Sequence, residues 1–201
     1  MRKIITTTMI TLDGVMQAPS ASKEDTAEGF EYGGWQVGWN EEADNIMDQK
    51  VQAAPFDLLL GRRTYEIFAA YWPNHKEEPH WGKPFDRAKK YVVSHNQIKL
   101  PWDNSVLITG DVVEEIRKLK NSDGPNLLIY GSGNFIQTLL KNNLIDRMHL
   151  WIFPVTIGTG KKLFAEGTQP ECFNALDSEI TNTGIIFATY EFSKPLKKSS
   201  L

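Results

Sequence analysis

The chain has 201 residues, a formal net charge of −3 and one cysteine, and 41% of its residues are hydrophobic. This length and composition fit a globular domain with a substantial core. The mildly acidic balance argues against a general nucleic-acid binder, which needs a surplus of Lys and Arg. A single thiol cannot form an internal disulfide, so we expect a cytoplasmic setting. No apolar run reaches the roughly 18 residues that span a bilayer, so we expect no membrane partner.

The N-terminal part of the chain predicts a buried strand and then a long loop. Residues 4–12 are rich in β-branched side chains and end at the turn dipeptide Asp13-Gly14, a pattern typical of a first strand. Residues 17–38 are rich in Gly, Ser and Ala and show little periodicity. A structureless loop of that length in a small domain is usually functional.

Strands and helices then alternate. Short apolar runs predict strands buried on both faces at 57–60, 91–93, 106–108 and 127–130. Apolar residues at helical spacing predict helices over 41–53, over 63–70, after Asp111 and after Gly133. Asn40 is a candidate cap for the first of these helices. Residues 73–88, which carry three prolines, are interpreted as a loop.

The last part of the chain predicts strands without helices. These strands cover 148–155, 173–181 and 185–192, and the last two meet at a hairpin turn over 182–184. Alternation followed by a hairpin predicts an α/β fold with a mostly parallel central sheet, flanking helices and antiparallel strands at one edge. We expect one domain over 1–193 and a frayed polar tail over 194–201.

Three strand ends carry residues that suit an anion-binding site, and the strand over 91–93 is one of them, since it runs into Ser94-His95. In open α/β sheets, ligands bind outside the carboxyl ends of the strands. Strand 127–130 leads into Gly131-Ser132-Gly133-Asn134 and a helix, whose first N–H groups favour a phosphate. The alternative is a tight turn that only packs the helix on the sheet.

Another such end is Gly61-Arg62-Arg63-Thr64, which follows strand 57–60. The planar guanidinium group of arginine suits phosphate oxygens. Two solvated arginines, or an ion pair with Glu66, are the alternative interpretation.

Ordered segments along nearly the whole chain resemble one family. They are Thr11-Leu12-Asp13-Gly14, Leu60-Gly61-Arg62-Arg63-Thr64-Tyr65-Glu66, Tyr91-Val92-Val93-Ser94, Tyr130-Gly131-Ser132-Gly133, Leu144-Ile145-Asp146-Arg147 and Pro154-Val155-Thr156-Ile157-Gly158-Thr159-Gly160. In this order they resemble the dihydrofolate-reductase-like superfamily. The closer resemblance is to the branch that includes the C-terminal reductase domain of the riboflavin-biosynthesis deaminase-reductase.

The resemblance implies a homodimeric NADPH-dependent oxidoreductase. Its implied reaction is hydride transfer to a C=N or C=O carbon of a small heteroaromatic or sugar-derived substrate, as in dihydrofolate reductase or the riboflavin-pathway reductase of a phosphoribosylamino-uracil. The implied cofactor-binding residues are Arg62, Arg63, Thr64, Ser94, Gly131, Ser132, Gly133 and Asn134. Arg62 and Ser94 would contact the adenosine 2′-phosphate, and the glycine-rich turn would hold the pyrophosphate. A non-catalytic nucleotide- or pterin-binding module is the alternative.

Two carboxylates are catalytic candidates. Asp13 lies at the turn that the resemblance places beside the nicotinamide, although a simple β-turn explains it equally well. Trp39 and Asp44 reproduce the spacing of a tryptophan and a proton-donating acid in dihydrofolate reductases. A solvated carboxylate in the first turn of a helix is the alternative for Asp44.

Departures from the family leave the substrate open. Residues 73–88 have no convincing likeness to the proline-rich substrate region of the folate enzymes, and the zinc-deaminase motif is absent from the sequence. His75 and His80 flank two glutamates, which we interpret as a charged surface, so no metal site is expected.

Overall fold

The computed structural model describes residues 1–196, apart from the side chains of residues 40–42. Within that range the strands are β1 (Ile4–Thr11), β2 (Phe56–Gly61), β3 (Lys90–Val93), β4 (Ser105–Ile108), β5 (Asn126–Tyr130), β6 (Arg147–Phe153), β7 (Glu171–Ile180) and β8 (Ile186–Pro195). The α-helices are α1 (Asn40–Ile46), α2 (Arg62–Tyr71), α3 (Gly82–Arg87), α4 (Val112–Asn121) and α5 (Gly133–Lys141). Among these helices, none has the length and apolar character that a membrane crossing requires.

The strands form one sheet in the order β4-β3-β2-β5-β1-β6-β8-β7. The six strands from β4 to β6 run parallel, whereas β8 is antiparallel to β6 and β7 is antiparallel to β8. The predicted α/β fold, with its mostly parallel sheet and antiparallel C-terminal hairpin, is therefore confirmed.

The sheet has an apolar core on each face. Leu58 and Leu60 pack with Tyr65 in one core, and Leu59 packs with Ile136 in the other. Successive side chains of a strand point to opposite faces, so a central strand that is covered on both faces needs a continuous apolar run. This requirement explains why the short runs could be recognised as strands.

One predicted loop is wrong in part. The segment 73–88 contains the end of a 3₁₀ turn, Trp72–Asn74, and the whole of α3. Pro84 lies in the first turn of α3, where the missing N–H has no intrahelical partner in any case. A proline there favours a helix start and does not argue against a helix.

The ends of two other predicted elements also differ. The helix expected over 41–53 is formed by α1 and a π-helical segment, Met47–Val51, and the flanking residue before α1 is Trp39, while Asn40 is its first residue. At the C-terminus, β8 continues through Pro195, which pairs with Glu171. Residues 197–201 of the expected tail lie outside the described residues.

Candidate functional site

Three strand ends lie next to one another at one edge of the sheet. Gly61 at the end of β2 is aligned with Val93 at the end of β3, so Arg62 and Ser94 follow at the same edge. The Gly61 N–H donates a hydrogen bond of 3.0 Å to the Oγ of Ser132, which lies just beyond β5. The structure therefore brings the arginine, serine and glycine-rich segments together.

The loop after β5 packs directly on the first turn of α2. The Ser132 hydroxyl donates to Thr64 Oγ1 at 2.9 Å. Gly131 has a φ of +57°, a left-handed conformation that favours glycine, and a Cβ there would be in ordinary van der Waals contact with Thr64 Oγ1 at 3.5 Å. These contacts bring the N-termini of α2 and α5 together.

Both helix N-termini are open to an anion. Within the described residues, neither α2 nor α5 has an acidic side chain in its first turn or a side-chain cap hydrogen bond. Unpaired N–H groups and the positive end of the helix dipole attract phosphate. Gly133 and Asn134 form the start of α5, and a Cβ on Gly133 would lie 3.2 Å from the sulfur of Met16. The loop after β1 therefore lies close to this turn.

The two arginines differ in their contacts. Arg62 makes a 3.2 Å ion pair with Glu66, and both side chains are about half exposed, at 54% and 49%. Such an exposed pair contributes little, so Arg62 can exchange Glu66 for a phosphate. Arg63 makes a 2.8 Å ion pair with Asp25, which also binds Lys161 at 2.7 Å.

Asp25 anchors the long loop after β1 through its ion pairs with Arg63 and Lys161. Its pKa is lowered, because partial burial, which disfavours the charge, is outweighed by hydrogen bonds from Lys161 and the Ala27 N–H and by the charges of Lys161 and Arg63. Arg63 is therefore committed to an internal carboxylate, whereas Arg62 is the more available anion ligand.

Ser94 is buried and makes its hydrogen bonds locally. Its hydroxyl donates to the Asn96 carbonyl at 2.8 Å and accepts from the Asn96 N–H at 3.1 Å. This arrangement fixes the turn after β3. Its one O–H donor is used on the Asn96 carbonyl, so a bond from Ser94 to a phosphate oxygen requires the hydroxyl to turn away from that carbonyl.

Asp13 is held by several donors. Its carboxylate accepts hydrogen bonds from the Thr11 hydroxyl at 2.6 Å, the Ile157 N–H at 3.2 Å and the Gly158 N–H at 2.7 Å. The Thr11 bond is the largest cause that lowers the pKa of Asp13 to about 2, and the two N–H groups add to it. Asp13 is thus ionised at neutral pH, and it ties the β1 turn to the segment after β6.

Asp44 lies on α1 and contacts the aromatic side chain of Trp81. Its Oδ1 accepts a 2.9 Å hydrogen bond from the indole Nε1–H of Trp81. The Trp81 ring packs against Tyr130, the last residue of β5, with 5.9 Å between ring centroids. Asp44 is therefore two side chains away from the glycine-rich turn. The residues in contact are 37 positions apart, and no spacing rule in the sequence predicts their hydrogen bond.

A comparison with known protein families identifies the family of this chain. Residues 2–187 match the family model described as the RibD C-terminal domain. The chain belongs to the RibD C-terminal domain family. The predicted resemblance to the riboflavin-biosynthesis branch is thereby confirmed.

The proteins similar to this RibD C-terminal domain protein include an uncharacterized protein and, by their fold, two proteins of known structure. YyaP of Bacillus subtilis (strain 168) is 26% identical over 200 residues, with 96% of each chain covered. A riboflavin biosynthesis protein from Shewanella sp. PV-4 has 24% identity and a TM-score of 0.64, over 96% of this chain and 99% of the other. Dihydrofolate reductase from Enterococcus faecalis, solved with NADP(H), has 12% identity and a TM-score of 0.58, over 96% and 97%. These likenesses show a reductase-type fold.

Proposed function

We propose that the protein is an NADPH-dependent oxidoreductase that reduces a C=N or C=O bond of a small heteroaromatic or sugar-derived substrate. The observation that carries this proposal is the junction of two open helix N-termini with Arg62 and Ser94 at one edge of the sheet. The family model and the reductase-type fold support it.

The residues at this edge fit a phosphorylated dinucleotide. Gly131, Ser132 and the first turn of α5 would bind the pyrophosphate through backbone N–H groups. Arg62 would bind the 2′-phosphate, since arginine accommodates that group, whereas sites for NAD place an acid on the ribose. Ser94 would join it by turning its O–H from the Asn96 carbonyl to a phosphate oxygen. Within the described residues, the first turn of α2 carries no such acid.

The residues of the chain then orient the cofactor and the substrate and supply a proton. Bound NADPH provides the hydride, and the protein orients it and excludes water. Asp44 is the group that we assign to proton supply, either directly or through water. Asp13, which is ionised and fully engaged, holds the segment after β6 beside the end of β1.

Replacement of Arg62 tests the cofactor assignment. In Arg62→Ala we expect the Kd for NADPH to rise about tenfold or more, because one charge-assisted phosphate contact is worth roughly 1.5–3 kcal/mol. The Kd for NADH should change little, since NADH lacks the 2′-phosphate. Calorimetric titration of both cofactors measures the difference.

The matched control is Arg87→Ala, which removes an exposed arginine at the end of α3, away from the shared edge. Equal losses of NADPH and NADH affinity in Arg62→Ala would contradict the 2′-phosphate role. Turnover is tested by NADPH oxidation with pterins, pyrimidinediones and quinones. Tight NADPH binding without oxidation of any of them would instead identify a non-catalytic binding module.

A further inference from the structure

We propose that Trp81 is the positioning residue for the carboxylate of Asp44. This inference rests on the proposed function, because it concerns the group assigned there to proton supply. Nothing in the sequence marks Trp81 for this role, since it directly precedes α3 and its partner lies 37 positions away on α1.

The contact fixes one oxygen of the carboxylate and leaves the other for a ligand. The Trp81 indole N–H donates to Oδ1 of Asp44 at 2.9 Å, while Oδ2 makes no hydrogen bond to the described residues. An indole N–H is a neutral donor and has no acceptor role. It therefore orients the carboxyl group through Oδ1, and Oδ2 is the oxygen that would carry the proton to be delivered.

Trp81 is itself held firmly. Its backbone N–H and that of Gly82 both donate to Oε2 of Glu78, at 2.7 and 3.1 Å. A Cβ on Gly82 would overlap the His75 carbonyl oxygen, so only glycine allows this close turn. Because Trp81 is fixed in this way, its indole N–H can hold the carboxyl group of Asp44 in one position.

The ring of Trp81 links Asp44 to the cofactor edge. It packs edge-on against Phe85 and Tyr130, with ring centroids 5.9 Å apart in both pairs. Tyr130 directly precedes Gly131, so the same rigid cluster supports the acid and the glycine-rich turn. A fixed separation between these two groups is what hydride and proton transfer to one substrate require.

A second contact ties the same segment to the following turn of the helix. His80 Nδ1 lies 2.6 Å from Oδ2 of Asp48, four residues after Asp44. The pKa of His80 is raised by its hydrogen bond to Asp48. Trp81 thus binds α1, and its neighbour His80 binds the π-helical segment that continues it.

Measurements of kcat, KM and Kd distinguish a role of Trp81 in positioning Asp44 from a purely structural role. Trp81→Phe keeps a ring and removes the N–H donor. With dihydropterin as the probe, we expect kcat to fall about tenfold or more, because small displacements of a catalytic group can cost up to about 100-fold. The KM for the probe and the Kd for NADPH should stay within about twofold. Trp81→His, which restores a ring N–H, should recover part of kcat.

Trp102→Phe is the matched control, because the Trp102 indole N–H also reaches a carboxylate, Asp86 at 3.4 Å, outside the candidate site. Its kcat should equal that of the wild type. A Trp81→Phe variant with wild-type kcat would overturn the proposal. Parallel losses in kcat, NADPH affinity and folding stability would also overturn it, since they indicate a structural role.

An NMR measurement tests the contact without turnover. The chain has six tryptophans, and the Trp81 indole N–H signal is identified by its loss in Trp81→Phe. In Asp44→Ala this signal should move upfield while that of Trp102 stays in place. An unmoved Trp81 signal would overturn the inference. Wild-type protein that oxidises no NADPH with any probe would count against the proposed function, and the NMR result would still decide the contact.

Discussion

The two candidate carboxylates have different surroundings, which assign them different roles. Asp13 receives hydrogen bonds from a hydroxyl and two backbone N–H groups, and its pKa is lowered to about 2. An acid of this strength is ionised near neutral pH and cannot deliver a proton there. Asp44 has a single indole N–H partner and an open oxygen, and it is the better candidate for proton supply.

The Asp13 contacts predict a pH-dependent contribution to stability. A carboxylate whose pKa is lower in the folded state stabilises the fold above its unfolded pKa. That contribution is lost as pH falls from about 3.8 toward about 2. Because solvent screens the charge of Asp13, we expect Asp13→Asn to lower the free energy of unfolding by about 1 kcal/mol or less at neutral pH, and the difference from wild type should shrink below pH 4.

Urea unfolding at several pH values measures this difference. Asp123→Asn is the control, because Asp123 is exposed, and we expect its unfolding curve to match that of the wild type throughout. A deficit in Asp13→Asn that is the same at pH 7 and near pH 2 would show that the charge of Asp13 plays no part.

At the residue scale, the sequence predicts the kinds of side chain in the site better than their partners. The pairing of Arg62 with Glu66 follows from their spacing on a helix. The pairing of Arg63 with Asp25, and that of Trp81 with Asp44, join distant segments. These long-range contacts depend on tertiary packing, which periodicity does not encode.

At the scale of elements, the site depends on how the β2–α2 and β5–α5 units are joined. Ser132 makes this junction, because its Oγ accepts from the Gly61 N–H and donates to Thr64 Oγ1. Ser132 has a φ of +63°, and its neighbour Gly131 is also in the left-handed region. The turn therefore holds an unusual backbone conformation that the serine contacts help to stabilise.

Ser132→Ala should loosen the junction. Loss of Oγ leaves the part-buried Gly61 N–H without its acceptor, at a cost of about 1–3 kcal/mol in the free energy of unfolding. NADPH affinity should fall in parallel. Ser105→Ala is the matched control, because the buried Ser105 hydroxyl has no hydrogen-bond partner among the described residues. Equal unfolding free energies for the two variants would contradict this role of Ser132.

Elements were predictable where burial on both faces imposes a continuous apolar run, as in β2 and β5. The start of α4 was also predictable, because an aspartate is a favoured N-cap residue, and Oδ1 of Asp111 accepts from the Glu114 N–H at 3.1 Å. The short helix α3 was missed because its proline was interpreted as a breaker. The position of a proline within a helix matters more than its presence.

At the scale of the whole molecule, the strand order creates the site. The alternation of strands and helices predicts a parallel sheet, but it does not specify that β5 inserts between β2 and β1. That insertion places the glycine-rich turn beside the arginine-bearing helix. The homodimer stays a prediction. The exposed edge strand β7, with Leu176 and Ile180 exposed at 48% and 71%, offers apolar surface that a second copy could cover.

A crystal structure of the protein soaked with NADPH tests the central claim most directly. The account predicts density for the pyrophosphate against Gly131 and the first turn of α5, and for the 2′-phosphate between Arg62 and Ser94. NADPH bound on another side of the sheet, or with its 2′-phosphate away from Arg62, would contradict the account.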